Sequence, residues 1–226
     1  MNWEDEGYLL SKIKFRENAN IINIFTSRHG KKSGIVYGGN SRKIRNFLQI
    51  ANKIFILFSS KDENRMGYFK TELIDPISPK YFNDKERTAG LLSATSLLNT
   101  LLPDSQPNKN IYKSFSHFLS NISEKNWVYL YIFWELNLIK ELGFGLDLDK
   151  INTEDFADKE FINIKIDNLD YKIPTFLIKK TIPETISKES ISSSLLFLRN
   201  LLQNKFFQVD NLKLPSSRIF LERYFN

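Results

Sequence analysis

Five carboxylates are clustered in the second half of the chain, at Asp147, Asp149, Glu154, Asp155 and Asp158. Such a cluster could hold a divalent metal ion that activates water, as in a metal-dependent nuclease. The same residues follow a predicted helix end and precede another element, where Asp commonly caps helices. The chain has no phosphate-binding loop, no nucleophile elbow and no Ser-His-Asp set. Capping is the simpler account, so we predict that the protein is not an enzyme and keep a nuclease as the minority alternative.

The remaining candidates for metal or acid–base chemistry are few, because the chain has no cysteine and only two histidines. His29 lies in a basic turn without a companion ligand at metal-binding spacing, so we expect it to join a phosphate-binding surface or to be inert. His117 falls within an apolar helical pattern and is expected in the core. Glu135 lies in the most apolar helix, where a buried carboxylate needs partners, so a structural ion pair is expected. We therefore predict no cofactor and no metal.

Positive charge is concentrated near the start of the chain. The net charge is +6, and residues 1–80 carry fourteen Lys and Arg against eight Asp and Glu. Between Lys12 and Lys53 there are ten basic residues and one acid, Glu17. A one-sided distribution of this kind favours a polyanionic partner such as nucleic acid. The alternative is a solvated surface whose charges are balanced elsewhere in the fold.

The candidate DNA-binding residues belong to this basic region. Lys and Arg neutralise phosphates and release counterions, and glycines allow backbone shapes that expose amides. Tyr37 is the best candidate for stacking on a base, although packing is an equal alternative for it. The other barrel aromatics, Phe15, Phe25, Phe55 and Tyr68, are expected in the core. The predicted site comprises Lys12, Lys14, Arg28, Lys31, Lys32, Tyr37, Gly38, Gly39, Arg42, Lys43 and Arg45.

The sequence predicts two structural regions, and the candidate DNA-binding residues all lie in the first. Five β-rich runs, at residues 7–15, 20–26, 32–37, 54–58 and 66–74, predict a five-stranded barrel of the OB type, with an SH3-like barrel as the alternative. Helical patterns then occupy residues 84–102, 110–122, 127–142, 187–203 and 216–225. We therefore predict an OB-fold DNA-binding domain at residues 1–79 and an all-α helical domain at residues 80–226. The acidic first residues and the absence of a long apolar stretch predict a cytoplasmic protein without a membrane segment.

Several short motifs, in order along the whole chain, are similar to those of the RecO family of bacterial recombination mediators. Residues 3–7 read Trp-Glu-Asp-Glu-Gly, Thr26 precedes Gly30 by four positions, and a glycine-rich basic segment follows at residues 37–45. Further matches are Leu-Gln at residues 48–49, Trp-Glu-Leu at residues 134–136 and Glu-Leu-Gly-Phe-Gly-Leu-Asp-Leu at residues 141–148. Each motif is weak alone, and their order and spacing make the resemblance specific.

The resemblance implies an OB-fold followed by a helical domain. It also implies binding to single- and double-stranded DNA, annealing of complementary strands, and partnership with RecR and with the C-terminal tail of single-strand-binding protein in loading the recombinase RecA. A nucleoid-associated location in the cytoplasm follows from such a role. A generic OB-fold nucleic-acid-binding or scaffold protein is the alternative.

The chain departs from the family pattern in one region. Many members carry a four-cysteine zinc module after the Gly-Phe-Gly-Leu segment, whereas residues 149–180 here contain neither cysteine nor histidine. A structural zinc site needs about four nitrogen or sulfur ligands. Roles that belong to the zinc module are therefore not expected of this chain.

Overall fold

The computed structural model describes residues 1–39, 41–62, 66–146, 148, 156, 159–166, 169–209 and 211–226. For Lys43 it describes the backbone alone. The chain divides into two compact units, Met1–Lys113 and Ser114–Asn226. The first unit holds the barrel together with the helix that follows it. The predicted domain boundary after residue 79 stays a prediction, since this division describes packing alone.

Five strands close into a barrel in the first unit. The strands are β1 (Asn2–Arg16), β2 (Ala19–Thr26), β3 (Gly30–Tyr37), β4 (Lys53–Ser59) and β5 (Gly67–Asp75). Neighbouring strands follow the order β1-β2-β3-β5-β4, and all pairs are antiparallel except β3 with β5. This closed, five-stranded arrangement confirms the predicted OB-like barrel.

Alternate residues of each strand fill the barrel, because successive side chains in a strand point to opposite faces. Helix α1 (Arg42–Phe47), between β3 and β4, packs Ile44 and Phe47 against this core. Helix α1 was not predicted, since six residues are too few to show a helical period. The inward residues are Leu9, Ile22, Ile24, Val36, Ile54, Ile56, Phe58 and Phe69.

Helix α2 (Lys85–Leu101) begins at Asp84, whose side chain accepts a hydrogen bond from the Arg87 amide. Its far end is tied to the barrel, since Asn23 donates to the side chain of Asn99 at 2.7 Å. Helix α3 (Lys109–Ser120) follows, and Tyr112 at its start packs near Phe25, with ring centroids 5.5 Å apart. The start of the predicted helical region therefore packs on the barrel.

The second unit is built around α4 (Trp127–Ile139), which is buried on most sides, as its sequence predicted. This unit also contains a two-stranded antiparallel hairpin, β6 (Phe161–Ile166) and β7 (Leu169–Pro174). The hairpin was not predicted. The barrel followed by helices is confirmed, but the part after residue 80 is not all-α. The helices after the hairpin are α5 (Phe176–Lys179), α6 (Lys188–Leu202) and α7 (Ser216–Glu222).

Within the described part of the chain, we found no helix with the length and apolarity needed to cross a membrane.

Candidate nucleic-acid interface

One end of the barrel gathers exposed basic side chains around a glycine turn. Gly38 adopts φ +71° and donates its amide to the Asn18 carbonyl, which fixes the turn after β3 beside the turn between β1 and β2. Ser41 then caps α1 by accepting from the Ile44 amide. This local geometry presents Arg42 and Arg45 to solvent on a short helix.

Strand β1 adds two further cations to this end. Lys14 and Arg16 are both exposed, and they lie opposite Asn20 and Ala19 of β2. Ala19 in turn pairs with Tyr37 of β3, so Arg16 and Tyr37 lie on a continuous row across three strands. Arg16 was not among the predicted DNA-binding residues, although it lies in the same basic stretch.

Aromatic rings lie among these cations. Tyr37 is 60% exposed, and its ring centroid is 6.4 Å from that of Tyr68, which is 45% exposed. Phe15 is 43% exposed and lies 5.1 Å from the Arg16 guanidinium. The prediction that Phe15 and Tyr68 are core residues is therefore wrong. Strand alternation turns Tyr68 outward beside the inward Phe69. Phe15 lies at the end of β1, where residues 13–16 are all exposed.

Of the other barrel aromatics, Phe25 is fully buried as predicted and Phe55 is half-buried. Gly39 is enclosed, since an added Cβ would lie 2.4 Å from the Asn20 side-chain nitrogen. A larger residue at position 39 would have to displace the buried Asn20 side chain, so packing favours glycine there, and the predicted contact of Gly39 with DNA stays a prediction.

Two predicted DNA-binding lysines are bound to other parts of the first unit. Lys31 donates to the Asn99 carbonyl at 2.8 Å and pairs with Asp104 at 3.2 Å, and its side chain is only 11% exposed. Lys32 donates to Ser105 at 3.0 Å. Both cations therefore fasten β3 to the segment that follows α2, and their role in DNA binding stays a prediction.

Lys12 and Arg28 also make internal contacts. Lys12 donates to the Leu48 carbonyl at 2.7 Å, and burial, together with the nearby charge of Arg45, lowers its pKa. Arg28 is 63% exposed and pairs with Asp5 at 3.2 Å. The Asp5 carboxylate thus offsets part of the positive charge in that turn.

The structure gives internal partners to His29 and places His117 elsewhere than predicted. His29 Nδ1 lies 3.0 Å from the Asp5 carboxylate, and its ring stacks on Trp3 at 3.8 Å. The carboxylate partner is distant in sequence, so ligand spacing could not indicate it. His117 is exposed, which corrects its assignment to the core. It lies about 200° around α3 from the buried Phe115, since each residue turns a helix by about 100°.

Glu135 forms the structural ion pair that its buried position predicted, with Arg218 as the partner. The clustered carboxylates Asp147, Asp149, Glu154, Asp155 and Asp158 lie outside the described residues. Among residues that are described, no three His, Asp or Glu side chains are placed to hold a metal ion.

A separate cavity of about 370 Å³ lies in the second unit, beside the end of α4. Phe133 and Leu136 of α4 line it together with Leu146, and the exposed Lys140 and Lys180 also contribute to its lining. The site is thus an apolar recess with two cations. No sequence motif indicated it, because its lining comes from separate parts of the chain.

The closed OB-like barrel with its basic and aromatic end defines the chain as an OB-fold protein followed by a helical unit. Comparison with protein families agrees: the N-terminal domain of recombination protein O matches residues 1–77, and the C-terminal domain matches residues 83–219. The chain therefore belongs to the RecO family of DNA repair proteins.

Individual relatives show the same relationship. The DNA repair protein RecO of Wolbachia sp. subsp. Drosophila simulans is 30% identical over 99% of this chain and 92% of its own length. The proteins of the same name from Cereibacter sphaeroides and Ehrlichia chaffeensis are 34% and 35% identical, each over 66% of this chain. Those two matches span 62% of the relatives' own length.

Proposed function

We propose that this protein is a recombination mediator in DNA repair and has no catalytic activity of its own. It binds single- and double-stranded DNA, anneals complementary strands, and with RecR helps to load RecA onto DNA covered by single-strand-binding protein. This role places it in the cytoplasm at the nucleoid. It requires no cofactor and no metal, so chelation should leave its melting temperature unchanged.

The main support for DNA binding is the exposed basic end of the barrel. Lys14 and Arg16 of β1, Tyr37 at the end of β3, and Arg42 and Arg45 of α1 are all exposed. Guanidinium and ammonium groups neutralise phosphates, and an exposed tyrosine ring can stack on an unpaired base. Family membership supports the same proposal, since the relatives are named DNA repair proteins.

The test is a titration of labelled single-stranded and duplex DNA over a range of salt concentrations. Log affinity should fall linearly with log salt, with a slope of about 0.7 for each single-strand phosphate neutralised. Replacing Arg42, Lys43 and Arg45 together by Ala should weaken binding to all sequences and reduce the single-strand slope by about 2, which is three such contacts.

A charge-matched control replaces the exposed Lys125, Lys188 and Lys213 by Ala. It removes the same net charge from the second unit and should leave the salt slope unchanged. Equal affinity of the barrel variant and the wild type at moderate salt would contradict the proposed interface. An annealing assay without nucleotide or metal separates a mediator from a generic OB-fold scaffold, which would bind DNA without annealing it.

The cavity beside α4 supports a second partner, the C-terminal tail of single-strand-binding protein. Such tails are acidic and end in a hydrophobic residue with a free carboxylate, as the family resemblance implies. An apolar recess bordered by cations suits both features of the tail. We propose that the recess lined by Leu136, Lys140 and Lys180 receives the tail, and we assign no residue to RecR.

A further inference from the structure

A second concave feature of the barrel lies next to the proposed DNA-binding end. It is a groove of about 380 Å³ whose lining includes Trp3 of β1, Leu57 and Phe58 of β4, and Tyr68 and Lys70 of β5. Leu57 is 40% exposed and Tyr68 is 45% exposed, so apolar surface is accessible to a ligand. None of these residues belonged to the predicted site.

The groove continues from the basic end of the barrel. Tyr68 lines it, and the Tyr68 ring lies 6.4 Å from the ring of Tyr37. One strand of nucleic acid that stacks on Tyr37 can therefore reach the groove with a neighbouring nucleotide. The exposed Lys70 beside Tyr68 supplies a cation for the phosphate of that nucleotide.

The lining also matches the chemistry of a base. Aromatic and aliphatic side chains cover the faces of a flat ring, while Asn2, Glu4 and Ser59 add polar groups that can reach its edge. Glu4 disfavours a phosphate within the groove, so the charged backbone has to stay near Lys70. A paired base in a duplex is stacked on both sides and cannot enter such a groove without being extruded.

We propose that this groove binds one unstacked base of single-stranded DNA, with Tyr68 as the stacking residue and Lys70 as the phosphate contact. The inference rests on the proposed DNA-binding function and adds to it the class of substrate that the barrel selects. Duplex DNA then uses the basic residues alone, whereas a single strand gains the groove as well.

Tryptophan fluorescence provides a direct probe of the groove. The chain has three tryptophans, and Trp127 and Trp134 are each 3% exposed, whereas Trp3 is only half-buried and lines the groove. The full-length protein is titrated with oligothymidylate, with an abasic strand of the same length, and with a duplex. Oligothymidylate should change the emission, the other two ligands should not, and the Trp3→Phe variant should lose the response.

Binding affinities complete the test. Tyr68→Ala should weaken oligothymidylate binding at least about fivefold, because stacking on an aromatic ring contributes that much per base. The variant should bind the abasic strand and the duplex like the wild type, and Tyr68→Phe should retain full affinity. Leu73→Ala, at a position 42% exposed on the same strand but outside the lining, is the matched control and should change nothing.

The outcomes separate this inference from the proposed function. If Tyr68→Ala leaves oligothymidylate binding intact, or weakens abasic and base-bearing strands equally, the groove does not bind a base. In that case, loss of binding in the Arg42, Lys43 and Arg45 variant would still support the DNA interface. If the wild type binds none of the three ligands, both the proposed function and the groove inference fail.

Discussion

Arg218 donates from Nε to both carboxylate oxygens of Glu135, at 2.8 and 3.0 Å, and neither side chain is exposed to solvent. The same guanidinium donates to Glu222 and to the Leu195 carbonyl, each at 2.8 Å. Burial alone would lower the pKa of Arg218, but the carboxylates of Glu135 and Glu222 outweigh it and raise that pKa. Arg218 therefore stays charged and joins α4, α6 and α7.

The first prediction concerns removal of one partner from this pair. Arg218→Met should destabilise the protein by about 3–5 kcal/mol, because Glu135 is left as a buried charge without its partner. The double variant Arg218→Met with Glu135→Leu should recover much of that loss, since Glu135 no longer leaves a buried charge and Glu222 keeps Arg199 as a partner at 2.9 Å. Urea unfolding measures both changes.

The control for this prediction is the exposed pair between Lys172 and Glu189, whose side chains are 57% and 68% exposed. Lys172→Ala should cost less than about 1 kcal/mol, because solvent screens such a pair. A comparable loss in Lys172→Ala and Arg218→Met would refute the special role of the buried network.

The second prediction concerns the pH dependence of stability through Asp5. Burial by itself would raise the pKa of this carboxyl, but hydrogen bonds with His29, Glu6 and Arg28 outweigh burial and lower it from its ordinary value of 3.8. A carboxyl with a lowered folded-state pKa stabilises the fold above its unfolded-state pKa, and the stabilisation is lost as the pH falls through the folded-state value. The free-energy difference between wild type and Asp5→Asn should therefore shrink as the pH falls below about 3.8. A difference that stays constant down to about pH 2 would show that Asp5 has no such role.

The third prediction compares two glycines that both adopt positive φ. Gly30 has φ +67°, and an added Cβ would lie 2.3 Å from the backbone oxygen of Gln106. Gly143 has φ +98°, and its Cβ would meet no atom within 4 Å. Alanine at either position adds backbone strain, but only Gly30→Ala also overpacks the segment fastened by Lys31. Thermal unfolding should show Gly30→Ala costing about 1–3 kcal/mol more than Gly143→Ala. Equal costs would mean that the segment moves away freely.

The sequence predicted the elements whose patterns are local. Five β-rich runs located all five barrel strands, and Asp84 correctly indicated the start of α2. The first strand begins earlier than predicted, at Asn2, because pairing with β4 supplies hydrogen bonds to a segment too acidic to resemble a strand. The hairpin β6–β7 was not predicted, although Ile162, Ile164 and Ile166 alternate with polar residues along β6.

The candidate site was predictable as a region but not residue by residue. Local charge located the basic end, with Lys14, Arg42 and Arg45 exposed there. Whether a given cation faces solvent depends on partners far along the chain, such as Asp104 for Lys31. Alternation in β5 could have placed Tyr68 outside, since it precedes the inward Phe69.

The last prediction concerns the proposed tail receptor in the second unit, and it requires the full-length chain. A fragment beginning at Lys80 would lose the hydrogen bond between Asn99 of α2 and Asn23 of the barrel, so the whole chain is used. A labelled acidic peptide ending in a hydrophobic residue should bind with micromolar affinity, because a short peptide buries little surface. The affinity should fall as the salt concentration rises, because part of the binding energy is electrostatic.

Two variants test whether the peptide occupies the cavity rather than the basic barrel. Lys140→Glu should weaken binding about tenfold or more, because it replaces an attraction with a repulsion at the recess. Lys125→Glu makes the same charge change at an exposed position outside the lining and should have little effect. Removing the final hydrophobic residue of the peptide should also weaken binding, since the apolar recess loses its anchor. If the barrel variant of Arg42, Lys43 and Arg45 abolishes peptide binding while Lys140→Glu leaves it unchanged, the peptide is attracted to the barrel by charge, and the cavity is not its receptor.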